Sequence, residues 1–185
     1  MRKFTFAAAV ALGMLGAGAA NAGMSLSSSD IPNKGTVPDE QVFNGFGCTG
    51  KNISPALMWK GAPKNTKSFA LTVYDPDAPT GSGFWHWLVI NMPPSTTSLA
   101  KNAGDAKANL LPAGAMQTRT DFGAPGWGGP CPPKGDKPHH YWFTIFATDV
   151  DKFDGVTPDA SAAFVGFNLH FHTLAKAKFV GTYGH

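Results

Sequence analysis

The sequence has few cysteines, little excess charge and, beyond its N-terminus, no long apolar run. Only Cys48 and Cys131 occur among the 185 residues, and two cysteines cannot by themselves complete a tetrahedral zinc site. After Ala22 no segment approaches the roughly 20 apolar residues that a transmembrane helix needs, so a membrane-spanning protein is not expected. No internal repeat or low-complexity tract follows Ala22 either, which argues against a repeat architecture.

The first 22 residues have the parts of a secretory signal peptide. Arg2 and Lys3 supply a positive start, residues 4–20 are apolar and small, and the segment Ala20 to Ala22 forms an A-x-A cleavage site. Glycines dilute the apolar stretch, which favours a cleaved signal over a membrane anchor. We therefore expect cleavage after Ala22, a periplasmic or secreted product, and a single domain over residues 23–185.

Cleavage would leave 13 basic against 12 acidic residues, a net charge of +1. Nucleic-acid-binding domains are usually strongly basic with clustered Lys and Arg, whereas the basic residues here are scattered singly. A nucleic-acid partner is therefore not expected. In an oxidising compartment an even pair of cysteines is expected to be bridged, so we predict a Cys48–Cys131 disulfide. Closing so long a loop would stabilise the chain by about 4 kcal/mol.

Aromatic and β-branched residues concentrate in segments bounded by Pro, Gly or Asp, which is the pattern of β-strands. Three such segments predict core strands, at residues 68–74, 87–92 and 141–148. Weaker candidates are residues 57–60 and 115–120. Residues 176–183 alternate with a period of two, which predicts a half-buried strand.

One helix is predicted, from Pro158 to Leu174, with Thr157 as its N-cap. Val165, Leu169 and Thr173 would share one face of this helix. Because helices do not alternate with the strands, a parallel α/β sheet is not expected. The predicted fold is mainly β, an antiparallel β-sandwich with one or two peripheral helices.

Residues suited to binding or catalysis concentrate in three segments next to predicted strands. Prolines hold two carboxylates in extended geometry in the first, a histidine stands between tryptophans in the second, and the third is a glycine- and proline-rich loop whose backbone N–H groups an anion can approach. Taken singly, the carboxylates are more typical of turn capping, and the histidine of a structural position. The segments are Asp75-Pro76-Asp77-Ala78-Pro79, Trp85-His86-Trp87 and the run from Gly126 to Tyr141.

Together and in this order, DPDAP, HWLV and GPCPPKGD with HHY resemble the signature blocks of the phosphatidylethanolamine-binding family, also called Raf kinase inhibitor proteins. The bacterial YbhB/YbcL-type branch is the most similar, and the resemblance extends to NGFGCTGKNISPALMW and VGTYG. It implies a β-sandwich whose small pocket at strand ends accepts phosphate-like groups, including phospholipid headgroups, without catalysis or a cofactor. Carried over, the ligand-binding residues are Asp75, Asp77, Ala78, Pro79, His86, Cys131, Pro132, His139 and Tyr141.

The chemistry expected of this pocket is hydrogen bonding to an anion. Imidazole titrates near pH 6.5, so His86 and His139 would donate in their protonated form while an Asp orients them, and Tyr141 would add a neutral donor. His140, where an arginine is common in the family, is expected to face away from the pocket on strand alternation. The mammalian members have an additional C-terminal helix near the pocket, which is not expected in a sequence that ends at His185.

Three other functions were weighed against an anion pocket. A metal site is disfavoured because His139 and His140 would point to opposite faces of a strand, and because His170 and His172 would lie about 200° apart on a helix, although they would align on a strand. A hydrolase is disfavoured because Gly81-Ser82-Gly83 is not a nucleophile elbow. A protein-interaction module that inhibits a kinase or a serine protease stays open as the alternative function.

Overall fold

Residues 23–185 are described by a computed structural model, and the predicted signal peptide lies outside them. Within the described residues, no helix combines the length and hydropathy needed to cross a bilayer. The described chain contains ten strands and one α-helix, with a short 3₁₀ helix at Ala106–Ala108. In chain order they are β1 (Ser25–Ser28), β2 (Asn44–Gly45), β3 (Cys48–Thr49), β4 (Leu57–Lys60), β5 (Ser68–Asp75), β6 (Phe84–Met92), β7 (Ser98–Leu99), β8 (Met116–Gln117), β9 (His139–Thr148), α1 (Ala162–His172) and β10 (Thr173–Tyr183).

The strands form a five-stranded sheet in the order β10-β9-β5-β6-β8 and a three-stranded sheet in the order β1-β4-β7. All pairs within them are antiparallel. A separate two-stranded ribbon, β2-β3, carries Cys48. This architecture confirms the predicted fold class, a mainly β protein built from antiparallel sheets with one peripheral α-helix.

The central strands of the large sheet are buried on both faces. Phe69, Leu71 and Val73 of β5 point into the main core, which also contains side chains of the small sheet, whereas Ala70 points into a second core beneath α1. Successive strand residues point to opposite faces. Strands covered on both sides contain nearly continuous apolar runs, which explains why β5 and β6 stand out in the sequence.

The ends of several elements differ from the sequence-based prediction. α1 begins at Ala162 rather than at Pro158, and its N-cap is Ser161, whose hydroxyl accepts from the N–H of Phe164. The prediction that Thr157 caps the helix is therefore wrong; Thr157 closes a preceding turn through its carbonyl oxygen. The last two residues of the predicted helix belong to β10, and β8 covers two residues of a predicted six.

Cys48 and Cys131 form the predicted disulfide. The bridge spans 83 positions of sequence and contributes about 4 kcal/mol on the loop-entropy account. It ties the β2-β3 ribbon to the glycine- and proline-rich loop before β9, which is the loop that borders the candidate site.

Candidate ligand-binding site

A cavity of about 150 Å³ lies at one edge of the large sheet, where β5 ends and β6 and β9 begin. In an antiparallel sheet these three ends meet at the same edge. Eight of the nine predicted ligand-binding residues line the cavity, and Asp77 does not. The residues that line it are Phe46, Asp75, Ala78, Pro79, Thr80, Phe84, His86, Phe122, Cys131, Pro132, Pro133, His139 and Tyr141.

The buried carboxylate of Asp75 holds both the turn after β5 and the ring of His139. Its Oδ1 accepts the N–H groups of Asp77 and Ala78 at 2.8 and 3.2 Å, and its Oδ2 lies 2.7 Å from Nδ1 of His139. All its oxygens are therefore engaged within the protein. Asp75 acts as a positioning residue that fixes the orientation of His139, and it also caps the turn as an isolated Asp-Pro segment would suggest.

Asp77 lies outside the cavity and pairs with His140. Its Oδ2 accepts the backbone N–H of His140 at 2.8 Å and lies 2.7 Å from the Nδ1 of the same residue. Burial alone would raise the pKa of Asp77, but the hydrogen bonds from His140 outweigh it and the pKa is lowered. His140 is exposed and points away from the cavity, as strand alternation predicts. This hydrogen-bonded pair forms part of the surface outside the pocket.

His86 reaches the cavity because β6 has a β-bulge. Val73 pairs with Trp87 and Tyr74 pairs with Trp85, so His86 is an extra residue with no partner on β5. A bulge redirects side chains at a sheet edge. Trp87 packs in the main core, and the imidazole of His86 lies edge-on to the ring of Tyr141, 5.1 Å between centroids.

A backbone carbonyl fixes the tautomer of His86. The Nδ1 atom lies 2.7 Å from the carbonyl oxygen of Gly128, which can only accept, while the N–H of Gly128 donates to the carbonyl of His86. Nδ1 therefore carries the hydrogen, and Nε2 of the neutral ring has a free lone pair. Burial lowers the pKa of His86, although the Gly128 carbonyl and Asp75 act to raise it. The lowered pKa favours the neutral ring, so donation by a protonated His86 would require a lower pH than an ordinary imidazole needs.

Two of the residues that line the cavity carry a hydrogen-bond donor without a partner within residues 23–185. The hydroxyl of Tyr141 is fully buried and unpaired, and the backbone N–H of Cys131 donates to no described residue. Burial, with Asp75 and Asp77 nearby, raises the pKa of Tyr141, which keeps the phenol protonated. Leaving a buried polar group unpaired costs about 1–3 kcal/mol, so a ligand oxygen that accepts from Tyr141 would recover this energy.

The loop that carries Cys131 is held closely against the rest of the protein. Asn52 accepts from the N–H of Gly129 at 2.8 Å, and a Cβ at Gly129 would lie 2.1 Å from the carbonyl oxygen of Gln41. Glycine is therefore required for this close approach. Together with the disulfide, these contacts fix the position of Cys131 in the lining of the cavity.

Phenylalanines around the cavity were missed by the sequence analysis. Phe84 faces Asp75 across the β5-β6 pair, while Phe46 and Phe122 come from distant loops and stack on each other, 6.1 Å between centroids. Phe46 is 77% exposed. Extending β6 backward by three residues would have indicated Phe84. No local pattern marks the other two, because chain folding alone brings them together.

The candidate metal ligands do not form a free site within residues 23–185. Cys48, Cys131 and His185 converge there, but the two sulfur atoms are bonded to each other. Only one ligand atom is then left for an ion. His172 lies on the helix with its Nδ1 2.9 Å from a carboxylate oxygen of Asp149, apart from the cavity.

The fold and cavity define a small β-sandwich binding protein with a small pocket at strand ends, lined mainly by apolar side chains and by a few polar ones. The chain belongs to the phosphatidylethanolamine-binding protein family, whose model matches residues 27–184, and within it to the UPF0098 group. It is 49% identical to the UPF0098 protein YbcL of Escherichia coli K12 over 162 residues, which cover 88% of each chain. It is 51% identical to YbhB of that strain over 154 residues, 83% of this chain and 96% of YbhB.

The crystal structure of E. coli YbcL, described as a new member of the mammalian PEBP family, has the same fold. It matches with a TM-score of 0.86 at 48% identity, covering 89% of this chain and 99% of YbcL. The family resemblance drawn from the three sequence segments is therefore confirmed.

Proposed function

We propose that residues 23–185 form a periplasmic or secreted binding protein whose cavity takes phosphate-like groups, phospholipid headgroups among them. The observation that carries the proposal is the unpaired, fully buried hydroxyl of Tyr141. An anionic oxygen is a suitable acceptor for such a donor, and Cys131, which also lines the cavity, has a second N–H without a described partner. A cavity of about 150 Å³ suits a small headgroup rather than a larger organic ligand.

The chemistry of the lining supports binding without catalysis. Two hydroxyl groups line the cavity, those of Thr80 and Tyr141. Thr80 donates to the carbonyl of Gly83, and the raised pKa of Tyr141 keeps its phenol protonated. Neither is paired with a base that would activate it as a nucleophile. The Nδ1 atoms of the two lining histidines are already hydrogen-bonded, that of His86 to the carbonyl of Gly128 and that of His139 to the carboxylate of Asp75.

Export is supported by two separate features of the chain. The first 22 residues have the composition of a signal peptide, and the Cys48–Cys131 disulfide is a bond that persists in oxidising compartments. We therefore place the proposed binding activity outside the cytoplasm.

The test is a calorimetric titration of the mature protein with phosphoethanolamine. Tyr141→Phe removes one hydrogen bond to a charged group, worth about 1.5–3 kcal/mol, so the variant should bind at least about tenfold more weakly. His140→Ala changes an exposed side chain outside the cavity and should bind like the wild type. Absence of binding by the wild type, or equal affinity of Tyr141→Phe, would contradict the proposal.

The second candidate function is a protein-interaction module that inhibits a kinase or a serine protease. The exposed ring of Phe46 at the cavity mouth favours it, because exposed aromatic side chains are typical anchors of protein interfaces. A partner captured by the immobilised protein and not released by free phosphoethanolamine would support this second function. Release by phosphoethanolamine would place the partner's contact in the cavity itself.

A further inference from the structure

We propose that the cavity selects oxyanions that carry a hydrogen, such as the monoanion of a phosphomonoester, over sulfate esters and phosphodiesters, with Nε2 of His86 accepting that hydrogen. This inference rests on the proposed function, because it concerns which phosphate-like group the same cavity takes. It makes His86 a specificity-determining residue rather than a positive charge.

The hydrogen-bonding groups of the cavity match such a ligand. Tyr141 and the N–H of Cys131 supply two donors without partners among the described residues. His86 supplies a lone pair, because its Nδ1 hydrogen is committed to the carbonyl of Gly128 at 2.7 Å. The monoanion of a phosphomonoester has two unprotonated terminal oxygens and one P–OH group. Two acceptors and one donor on the ligand thus meet two donors and one acceptor on the protein.

The charged groups around His86 do not change this set of hydrogen-bond donors and acceptors. Asp75 from β5 and Asp121 from the loop after β8 are the carboxylates near the ring. Asp121 accepts from the backbone N–H of Trp85, and Asp75 is engaged with His139. From β9, His139 and the neutral Tyr141 face the cavity. No lysine or arginine lines the cavity within residues 23–185, so no fixed cation is present there to hold a dianion.

His139 is held at the cavity by the carboxylate of Asp75. Its Nδ1 lies 2.7 Å from Asp75, so its hydrogen is placed on that side. Its Nε2 lies 3.6 Å from Oδ2 of Asp136, beyond hydrogen-bond distance.

A sulfate ester lacks the hydrogen that this arrangement requires. All its terminal oxygens are unprotonated, so one of them would face the lone pair of His86, or the buried ring would have to take up a proton first. The anion of a phosphodiester also lacks this hydrogen. Among phosphate-like groups, the geometry therefore favours a phosphomonoester over the diester of an intact phospholipid.

A matched pair of ligands isolates the contribution of the hydrogen on the oxyanion to binding. Phosphoethanolamine and ethanolamine O-sulfate share the same ammonium arm, and at about pH 5.5 both oxyanions are mostly singly charged, because the second ionisation of a phosphomonoester lies near pH 6. Calorimetric titration of the mature protein should give at least about tenfold tighter binding of phosphoethanolamine, the ratio expected for one lost charge-assisted hydrogen bond. Glycerophosphoethanolamine, a phosphodiester, should bind as weakly as the sulfate ester.

The variant His86→Asn keeps an amide N–H that can reach Gly128 and removes the acceptor at the Nε2 position. For this variant the ratio of the affinity for phosphoethanolamine to that for ethanolamine O-sulfate should fall toward one. His140→Ala should keep the wild-type ratio. Equal binding of the phosphate and sulfate esters by the wild type would overturn the selectivity and leave the anion pocket standing. Failure of all three ligands to bind would overturn the proposed function itself.

Discussion

Acidification is expected to destabilise the folded protein through the imidazole of His86. The ring is 4% exposed, and its burial lowers the pKa of His86 below the value of about 6.5 that it has in an unfolded chain. Below about pH 6.5 the unfolded chain therefore binds a proton that the folded ring does not. The contribution of neutral His86 is fully present above that pH and is lost as the pH falls.

The magnitude follows from this difference in protonation. Between the folded and unfolded pKa values, the free energy of unfolding falls by at most about 1.4 kcal/mol per pH unit for one group. At about pH 5.5 the loss relative to pH 7.5 is therefore at most about 1.4 kcal/mol. His86→Asn does not titrate and can keep a donor to Gly128, so it should lack this part of the pH dependence.

Urea unfolding at several pH values between about 7.5 and 5 measures this effect. The difference between the wild type and His86→Asn should shrink steadily as the pH falls through about 6.5. His140→Asn, a substitution at an exposed site, serves as the matched control for the loss of one histidine. Parallel pH profiles of the wild type and His86→Asn would refute the argument that the buried ring is held neutral.

Three further predictions follow from the same contacts. Tyr141→Phe removes an unsatisfied buried hydroxyl, so without ligand its urea midpoint should equal or exceed that of the wild type; a clear loss would mean that the hydroxyl is satisfied within the protein. Replacing Cys48 and Cys131 by Ser should lower the free energy of unfolding by about 4 kcal/mol, and an unchanged value would contradict the loop-entropy account. N-terminal sequencing of protein from the periplasm should start at Gly23, and a retained Met1 would reject the predicted cleavage.

The parts of the fold that could be predicted are those in which local sequence and tertiary packing agree. β5 and β6 are buried on both faces along most of their length, and β9 has aromatic or β-branched residues on its buried face and its more exposed face, so these three strands are visible without a structure. β2, β3 and β7 are two residues long, and such strands exist through pairing rather than through any pattern of their own. The helix start was misplaced because Thr157 and Ser161 both satisfy the local preference for an N-cap.

The candidate site was predictable as a set of segments and not as an arrangement of atoms. The order of the three motifs led to Asp75, His139 and Tyr141, which do line the cavity. The bulge that directs His86 inward depends on the register between β5 and β6, which a single sequence does not contain. The neutral state of that ring depends on its burial, and its tautomer depends on the carbonyl of Gly128; both arise only after folding.

The most direct test of the anion pocket is a crystal structure of residues 23–185 grown with saturating phosphoethanolamine. We expect the phosphate group in the cavity, with separate oxygens within hydrogen-bond distance of Oη of Tyr141, the backbone N of Cys131 and Nε2 of His86. Ordered water alone at these three atoms, with the ligand absent or bound elsewhere, would contradict it.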